Sequence, residues 1–138
     1  MYDISLHILD IVENSIRAGA KNIVIKIIKN TNKGKLDVII KDDGRGMDKK
    51  ELKRVTDPFF TTKEGKKIGL GISLFAQAAC DTGGKFYIGS KKGKGTIVCV
   101  SFNRNHPDMK PLGDIKRTIE ILQTVYPDIN FNYKEVFL

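Results

Sequence analysis

The amino-acid sequence predicts an α+β protein, a two-layer α/β sandwich with helices on one face of a mixed, mainly antiparallel sheet. Three observations predict it. An apolar run with helical periodicity opens the chain, two pairs of Ile- and Val-rich segments read as hairpins, and a second apolar helical segment stands between those pairs. At 138 residues the chain is long enough to bury a core without disulfides or metals.

Residues 3–19 form the first helix. Ile4, Leu6, Ile8, Leu9, Ile11, Val12 and Ile16 fill most of its circumference, and Gly19 supplies a C-cap. Asp3, His7, Asp10, Asn14 and Arg17 recur at alternating spacings of four and three, so one narrow polar seam runs down an apolar helix. Either the seam is the solvated side of a surface helix, or a ligand satisfies it. Asp10 and Asn14 are acceptors suited to a divalent cation and its waters. Arg17, one turn on, suits a phosphate.

Two strands follow, 22–29 and 36–41, joined by turn residues at 30–34. The second empties into Asp42-Asp43-Gly44-Arg45-Gly46-Met47, where a carboxylate at a strand end can accept from an amino group and glycines admit a flat ligand. An acid followed by glycine is also an ordinary turn. Asp48 caps a short polar helix to about residue 55, with Glu51 completing a capping box. Beyond it lies a basic, glycine-rich loop ending in Gly69-Leu70-Gly71, which delivers the chain into a second apolar helix, 72–82. A glycine-rich turn feeding a helix N-terminus offers free N–H donors to phosphate, although the spacing fits neither the P-loop nor the dinucleotide fingerprint. Gly83-Gly84 ends that helix, and strands 85–90 and 96–102 pair around the turn at 91–95. From residue 103 the character shifts, to a loop, a helix over 113–125 and a closing strand over 129–137.

A formal net charge of +8 implies attraction to something anionic. The lysines fall into separate clusters without interleaved aromatic residues, so nucleic acid is not the expected partner, and solvated lysines fit them equally well. Cys80 and Cys99 match no metal-ligand spacing and read as buried reduced thiols of a cytosolic protein. No signal-peptide pattern or membrane-length apolar span appears, so a cytoplasmic location is expected.

Taken together, the motifs resemble the GHKL superfamily, whose Bergerat-fold domain is shared by gyrase-type topoisomerases, heat-shock chaperone ATPases, sensor histidine kinases and mismatch-repair ATPases. Asp10 to Asn14 resembles the N box, Asp42 to Gly46 the first glycine box, Gly69-Leu70-Gly71 the second, and Gly93-Lys94-Gly95-Thr96 the third. Pro58-Phe59-Phe60-Thr61-Thr62-Lys63 is similar to the phenylalanine box of histidine kinases.

The resemblance implies ATP and Mg²⁺ as cofactors, with Asn14 holding the metal. It implies that Asp42 accepts from the adenine amino group, with Gly44, Gly46 and Met47 beside the base and Thr96 supporting the same hydrogen-bond network. Gly69, Leu70 and Gly71 would present the backbone to phosphates, and Thr61, Thr62, Lys63, Lys66 and Lys67 would belong to a lid. Arg17 stands where sensor kinases often have a lysine near phosphate. Many hydrolysing members place a glutamate four residues before the metal ligand; here it is Asp10, one methylene shorter, which puts hydrolysis in doubt and makes Asp10 the candidate catalytic residue.

No phospho-acceptor helix or dimerisation bundle is expected ahead of the N box. The expected organisation is an ATP-binding domain over 1–103 and a helix-strand extension over 104–138 packed on it. The expected function is a stand-alone protein kinase, similar in design to the anti-sigma-factor serine kinases, with a protein partner as substrate. An ATP-gated binding module or slow ATPase is the alternative, and a DNA-processing ATPase relative a distant third. A dimer is compatible with this reading, and the sequence does not fix the oligomeric state.

Overall fold

The structure, a computed structural model, describes residues 3–56 and 70–138. Its elements follow the predicted order: α1 (Ile4–Arg17), β1 (Asn22–Asn30), β2 (Lys35–Asp42), α2 (Lys49–Thr56), α3 (Leu70–Asp81), β3 (Lys85–Lys91), β4 (Gly95–Asn103), α4 (Ile115–Val125) and β5 (Asn130–Phe137). The strands form one sheet in the order β3-β4-β2-β1-β5. Neighbours are antiparallel except β1 and β5, which run parallel. This mixed sheet with helices on one face is the predicted α+β sandwich.

Strand alternation decides which face the helices cover. Ile23, Ile25 and Ile27 of β1, Leu36, Val38 and Ile40 of β2, and Val98, Val100 and Phe102 of β4 all point one way and are buried. Against them pack Ile4, Ile8, Ile11 and Val12 of α1, Phe75 and Ala79 of α3, and Ile115, Ile119 and Leu122 of α4. Each fully buried Ile, Leu or Phe contributes about 1.5–3 kcal/mol, so this one layer accounts for most of the driving force. Leu6 departs from the expected burial of α1 and is 40% exposed, because it falls on the side of the helix away from the sheet.

The helix ends follow local chemistry. Asp3 accepts from the Leu6 N–H at 2.9 Å, and the first N–H groups of α1, those of Ile4 and Ser5, donate to the carbonyls of Pro111 and Leu112 at 2.9 and 3.0 Å. At the other end Gly19 adopts φ +79°, the left-handed conformation that stops the helix. The capping box of α2 forms as expected: Glu51 N–H donates to Asp48 Oδ1 at 2.8 Å, and Asp48 N–H donates to Glu51 Oε1 at 3.3 Å. The second apolar helix begins at Leu70, earlier than predicted, and takes Gly71 into its first turn. There the missing Cβ permits a close approach, since a Cβ on Gly71 would stand 3.2 Å from the Asp10 Cβ.

The opposite face of the sheet carries Ile28, Ile39, Cys99 and Tyr87 together with Lys26, Lys41 and Lys134, with Lys26 directly across from Lys134. The expectation of two buried thiols fails here. Cys99 lies on this open face, half-buried between the inward-pointing Val98 and Val100, and Cys80 lies one residue past Ala79 on the outer side of α3 and is exposed. An apolar neighbourhood in sequence does not bury a residue whose phase on the helix or strand is wrong. Among the described residues no helix is long and apolar enough to cross a membrane.

Candidate functional site

A cleft of about 370 Å³ opens between the C-terminal half of α1, the end of β2, the loop 43–48, α2 and the start of β4. Ile11, Ile40, Met47, Val55, Ile72 and Val98 give it apolar walls, and Asn14, Ser15, Asp42 and Thr96 supply polar groups. An apolar slot with a few convergent polar groups suits a flat heterocycle.

Asp42 is buried at the end of β2, 9% exposed; Oδ2 accepts from the Ser15 hydroxyl at 2.6 Å and Oδ1 from the Gly44 N–H at 2.9 Å. Two donors fix the carboxylate plane, and each oxygen keeps a lone pair for a further donor in the cleft. Asp43, the next residue, faces the other way. Its oxygens accept from the Asn22 side chain at 2.7 Å and from the backbone N–H groups of Asn22 and Lys21 at 2.9 and 2.8 Å. Those bonds, the Asn22 side chain first, hold its carboxyl down at about 2. Of two consecutive acids, one faces the cleft and one fastens the loop to β1.

The loop itself is clamped on both sides. Arg45 N–H donates to the Ala18 carbonyl at 2.9 Å and its guanidinium to the Arg17 carbonyl at 3.1 Å, which ties the loop to the end of α1. On the other side the Gly93 N–H donates to the Arg45 carbonyl at 2.6 Å, and the Met47 N–H to Ser90 Oγ at 2.8 Å. Gly46, at φ +69°, passes so close to the hairpin that a Cβ there would lie 2.1 Å from the Lys91 carbonyl oxygen. Thr96 sits opposite Asp42 in the β2–β4 register, but its hydroxyl meets Ser90 Oγ at 2.8 Å. The hydroxyl on Asp42 is that of Ser15, while the Thr96 hydroxyl pairs with Ser90.

Among the residues expected from the sequence, Asn14, Arg17, Asp42, Gly46, Met47 and Thr96 line the cleft together. Gly44 stands behind Asp42, where a Cβ would crowd Ala18 at 3.0 Å. Asp10 lies one turn before Asn14 against the first turn of α3, beside Gly71; Leu70 opens that helix. Thr61, Thr62, Lys63, Lys66, Lys67 and Gly69 lie outside the described residues. The Arg17 guanidinium donates to Asn14 Oδ1 and stands 3.8 Å from Glu13. His7 is buried, stacked on Phe75 with ring centroids 5.1 Å apart; burial, only partly offset by Asp10, pushes its pKa down.

The sequence reading missed Ser15, Ser90, Arg45 and Arg54. Ser15 left a signal: a hydroxyl on the inward side of an apolar helix must find a buried partner. The other three left none, because their places depend on how the hairpin and α2 fold onto the loop. Among the described residues no group of three or more His, Cys, Asp or Glu side chains could hold a metal ion. The donor set at Asn14 fits only a hard cation that takes most of its ligands from phosphate and water.

Comparison with known proteins agrees with this geometry. The family described as "Histidine kinase-, DNA gyrase B-, and HSP90-like ATPase" matches residues 3–106. The chain belongs to this family and carries its ATP-binding domain. It is 33% identical over 92 residues to sporulation kinase C of Bacillus subtilis (strain 168), covering 67% of this chain and 21% of that protein. It is 30% identical over 94 residues to sporulation kinase A of the same organism, covering 68% and 15%. The chain thus spans no more than about a fifth of these relatives.

Among solved structures, the Aquifex aeolicus MutL ATPase domain complexed with ADP superposes with a TM-score of 0.60 at 16% identity, over 93% of this chain and 57% of that one. The catalytic domain of histidine kinase ThkA superposes with a TM-score of 0.52 at 21% identity, over 71% and 65%. At these identities the likeness is one of fold.

Proposed function

We propose that this chain binds Mg-ATP in the cleft beneath α1 and acts as a protein kinase, transferring the γ-phosphate to a partner protein in the cytoplasm. The observation that carries the reading is Asp42, a carboxylate held in one plane by Ser15 and Gly44 at the bottom of an apolar slot. It accepts from the exocyclic amino group of adenine, a contact that guanine cannot make with its carbonyl at that position. Residues 1–103 make the nucleotide-binding domain in this reading, and 104–138 an extension.

Asn14 is the residue that would hold Mg²⁺, which when bound neutralises phosphate charge. Arg17, at the open end of the α1 seam, releases Asn14 Oδ1 and turns to the phosphates. Leu70 and Gly71 would offer backbone N–H groups at the start of α3, and Gly69, Thr61, Thr62 and Lys63 would join them at the phosphates. Asp10 orients the acceptor hydroxyl and takes its proton as the oxygen attacks the γ-phosphorus and ADP leaves. Its shortness and its packing against Gly71 also favour a second reading, an ATP-gated binding module with slow turnover.

The test separates binding from chemistry. Asp10→Asn should keep Mg-ADP affinity within a few-fold and slow transfer from γ-labelled ATP by about 10²- to 10⁴-fold. Asn14→Ala should lose the Mg²⁺ dependence of nucleotide binding. Wild-type turnover in Asp10→Asn would end the catalytic assignment, and label appearing only as free phosphate would favour an ATPase.

A further inference from the structure

The described residues leave one face of the sheet uncovered, the face turned away from the helices and from the nucleotide cleft. On it the strand registers place Tyr87, Cys99, Ile97, Ile39, Ile28 and Val136 along one diagonal from β3 to β5. All but Tyr87 are half-buried in the sheet surface, and Tyr87 stands 60% exposed on the edge strand. A groove of about 300 Å³ lies within this band, walled by Ile28, Ile39, Tyr87 and Cys99 together with Lys85 and Ser101.

Charge flanks the band on both sides. Lys41, Lys26 and Lys134 follow one flank, with Lys26 directly opposite Lys134 and diagonal to Lys41, and Lys85 and Lys35 follow the other. With Lys91, the outward side chains of the five strands include six lysines and one acid, Asp37, which stands 4.0 Å from Lys35. Among the described residues no carboxylate lies within 4.0 Å of the other five. Like charges on directly opposite positions destabilise a sheet, and no acid of the strands offsets the pair of Lys26 and Lys134.

We propose that this face docks an amphipathic helix of a protein partner, its apolar stripe on the band from Ile97 through Ile39 to Ile28 and its Asp and Glu side chains on the two lysine flanks. The dimensions suit a helix. Four strand spacings make the band about 20 Å long, a length that about 13 residues of helix cover. Along β2, Lys41 and Lys35 stand about 20 Å apart, which leaves room for a helix about 10–12 Å across with an acidic side chain reaching out on each side. A second copy of this chain placed face to face would set lysine flanks against lysine flanks. A lipid surface does not match the relief, because the aliphatic side chains lie at the level of the strands while the longer lysines rise past them. Single-stranded nucleic acid calls for a row of stacking rings, and Tyr87 is the one aromatic side chain that the five strands turn outward. The proposal stands without the nucleotide reading, since the two surfaces lie on opposite faces of the sheet.

The probe is a fluorescent peptide of about 14 residues, Leu on one helical face and Glu elsewhere, titrated by anisotropy against the full chain. Lys26→Glu with Lys134→Glu should weaken its binding at least about tenfold, and Ile39→Thr at least about threefold. An equal charge change at exposed positions of α2 and α4, Lys50→Glu with Lys116→Glu, should lose less than about threefold. Folding is read from Tm; Lys26→Gln with Lys134→Gln, and Ile97→Thr in place of Ile39→Thr, replace any variant that does not fold. The two thiols give an independent footprint: saturating peptide should slow maleimide labelling of Cys99, inside the band, several-fold and leave that of Cys80, on the outer side of α3, unchanged. Absence of saturable binding, equal losses in the two paired charge variants, or an unprotected Cys99 would overturn the proposal. So would tighter binding of oligothymidylate or of phosphatidylglycerol vesicles through the same lysines, or a dimer that protects Cys99 without peptide; these would assign the face to nucleic acid, to a membrane or to a second copy.

Discussion

At the floor of the cleft Ser15 and Asp42 are 3% and 9% exposed and share a 2.6 Å hydrogen bond, whereas at its mouth Arg17, Arg45 and Arg54 stand in solvent. The floor is over-determined. The Ser15 hydroxyl bridges α1 to Asp42 Oδ2 at the end of β2, and the Gly44 N–H holds Asp42 Oδ1, so geometry there is set by the fold. The mouth carries exposed charge, and of its arginines Arg45 also ties the loop to the end of α1. Floor residues should therefore change stability and affinity together, while Arg17 at the mouth should change the handling of anions alone.

The sharpest way to break that comparison is Gly46→Ala. With φ at +69° and a backbone carbonyl 2.1 Å from the new Cβ, either the loop or the hairpin must shift, at a cost of about 2–4 kcal/mol. A Tm lowered by roughly 10 °C and weaker ADP binding are expected from calorimetry. An unchanged Tm would mean that the hairpin is not clamped to the loop. Next in size is Ser15→Ala, which removes one of the two donors on the Asp42 carboxylate and should cost about 1–3 kcal/mol in urea unfolding. It should also narrow the preference for ATP over GTP, because the carboxylate is then free to rotate. A Ser15→Ala protein with wild-type stability and selectivity would leave Asp42 fixed by Gly44 alone. The smallest effect belongs to the mouth. Arg17→Ala should alter stability by less than about 0.5 kcal/mol, since its ion pair with Glu13 is exposed, yet weaken binding of ADP more than that of adenosine. Equal weakening for both ligands would place Arg17 at the base and not at the phosphates.

The sequence carried most of the fold because its signals were local. The α2 capping box, the glycine stops after α1 and α3, and the period-two alternation of β1 and β2 all appear where expected. What it could not carry were relations between distant segments. That Gly71 sits inside a helix and against Asp10, and that the turn at 91–95 docks on Arg45, both follow from tertiary packing. The thiols show the same limit on a smaller scale. Cys80 and Cys99 were misjudged by one residue of phase, which is enough to move a side chain from the core to the surface. Within the site, Asp42 and Asn14 were visible as motif residues, while Ser15 is recognisable only once β2 is known to end beside α1.

The parallel pairing of β1 with β5 places Asn22 beside Asn130, 108 residues later in the chain. During synthesis, β1 and its hairpin partner emerge well before β5, and the outer edge of β1 stays unpaired until that distant strand arrives. Closing so long a loop is entropically costly and slow, so β5 is the natural last step of folding and the first to detach. The hydrophobic strand that supports the Asp42 floor from behind is thus exposed longest to other nascent chains, and the closing strand serves as its edge guard.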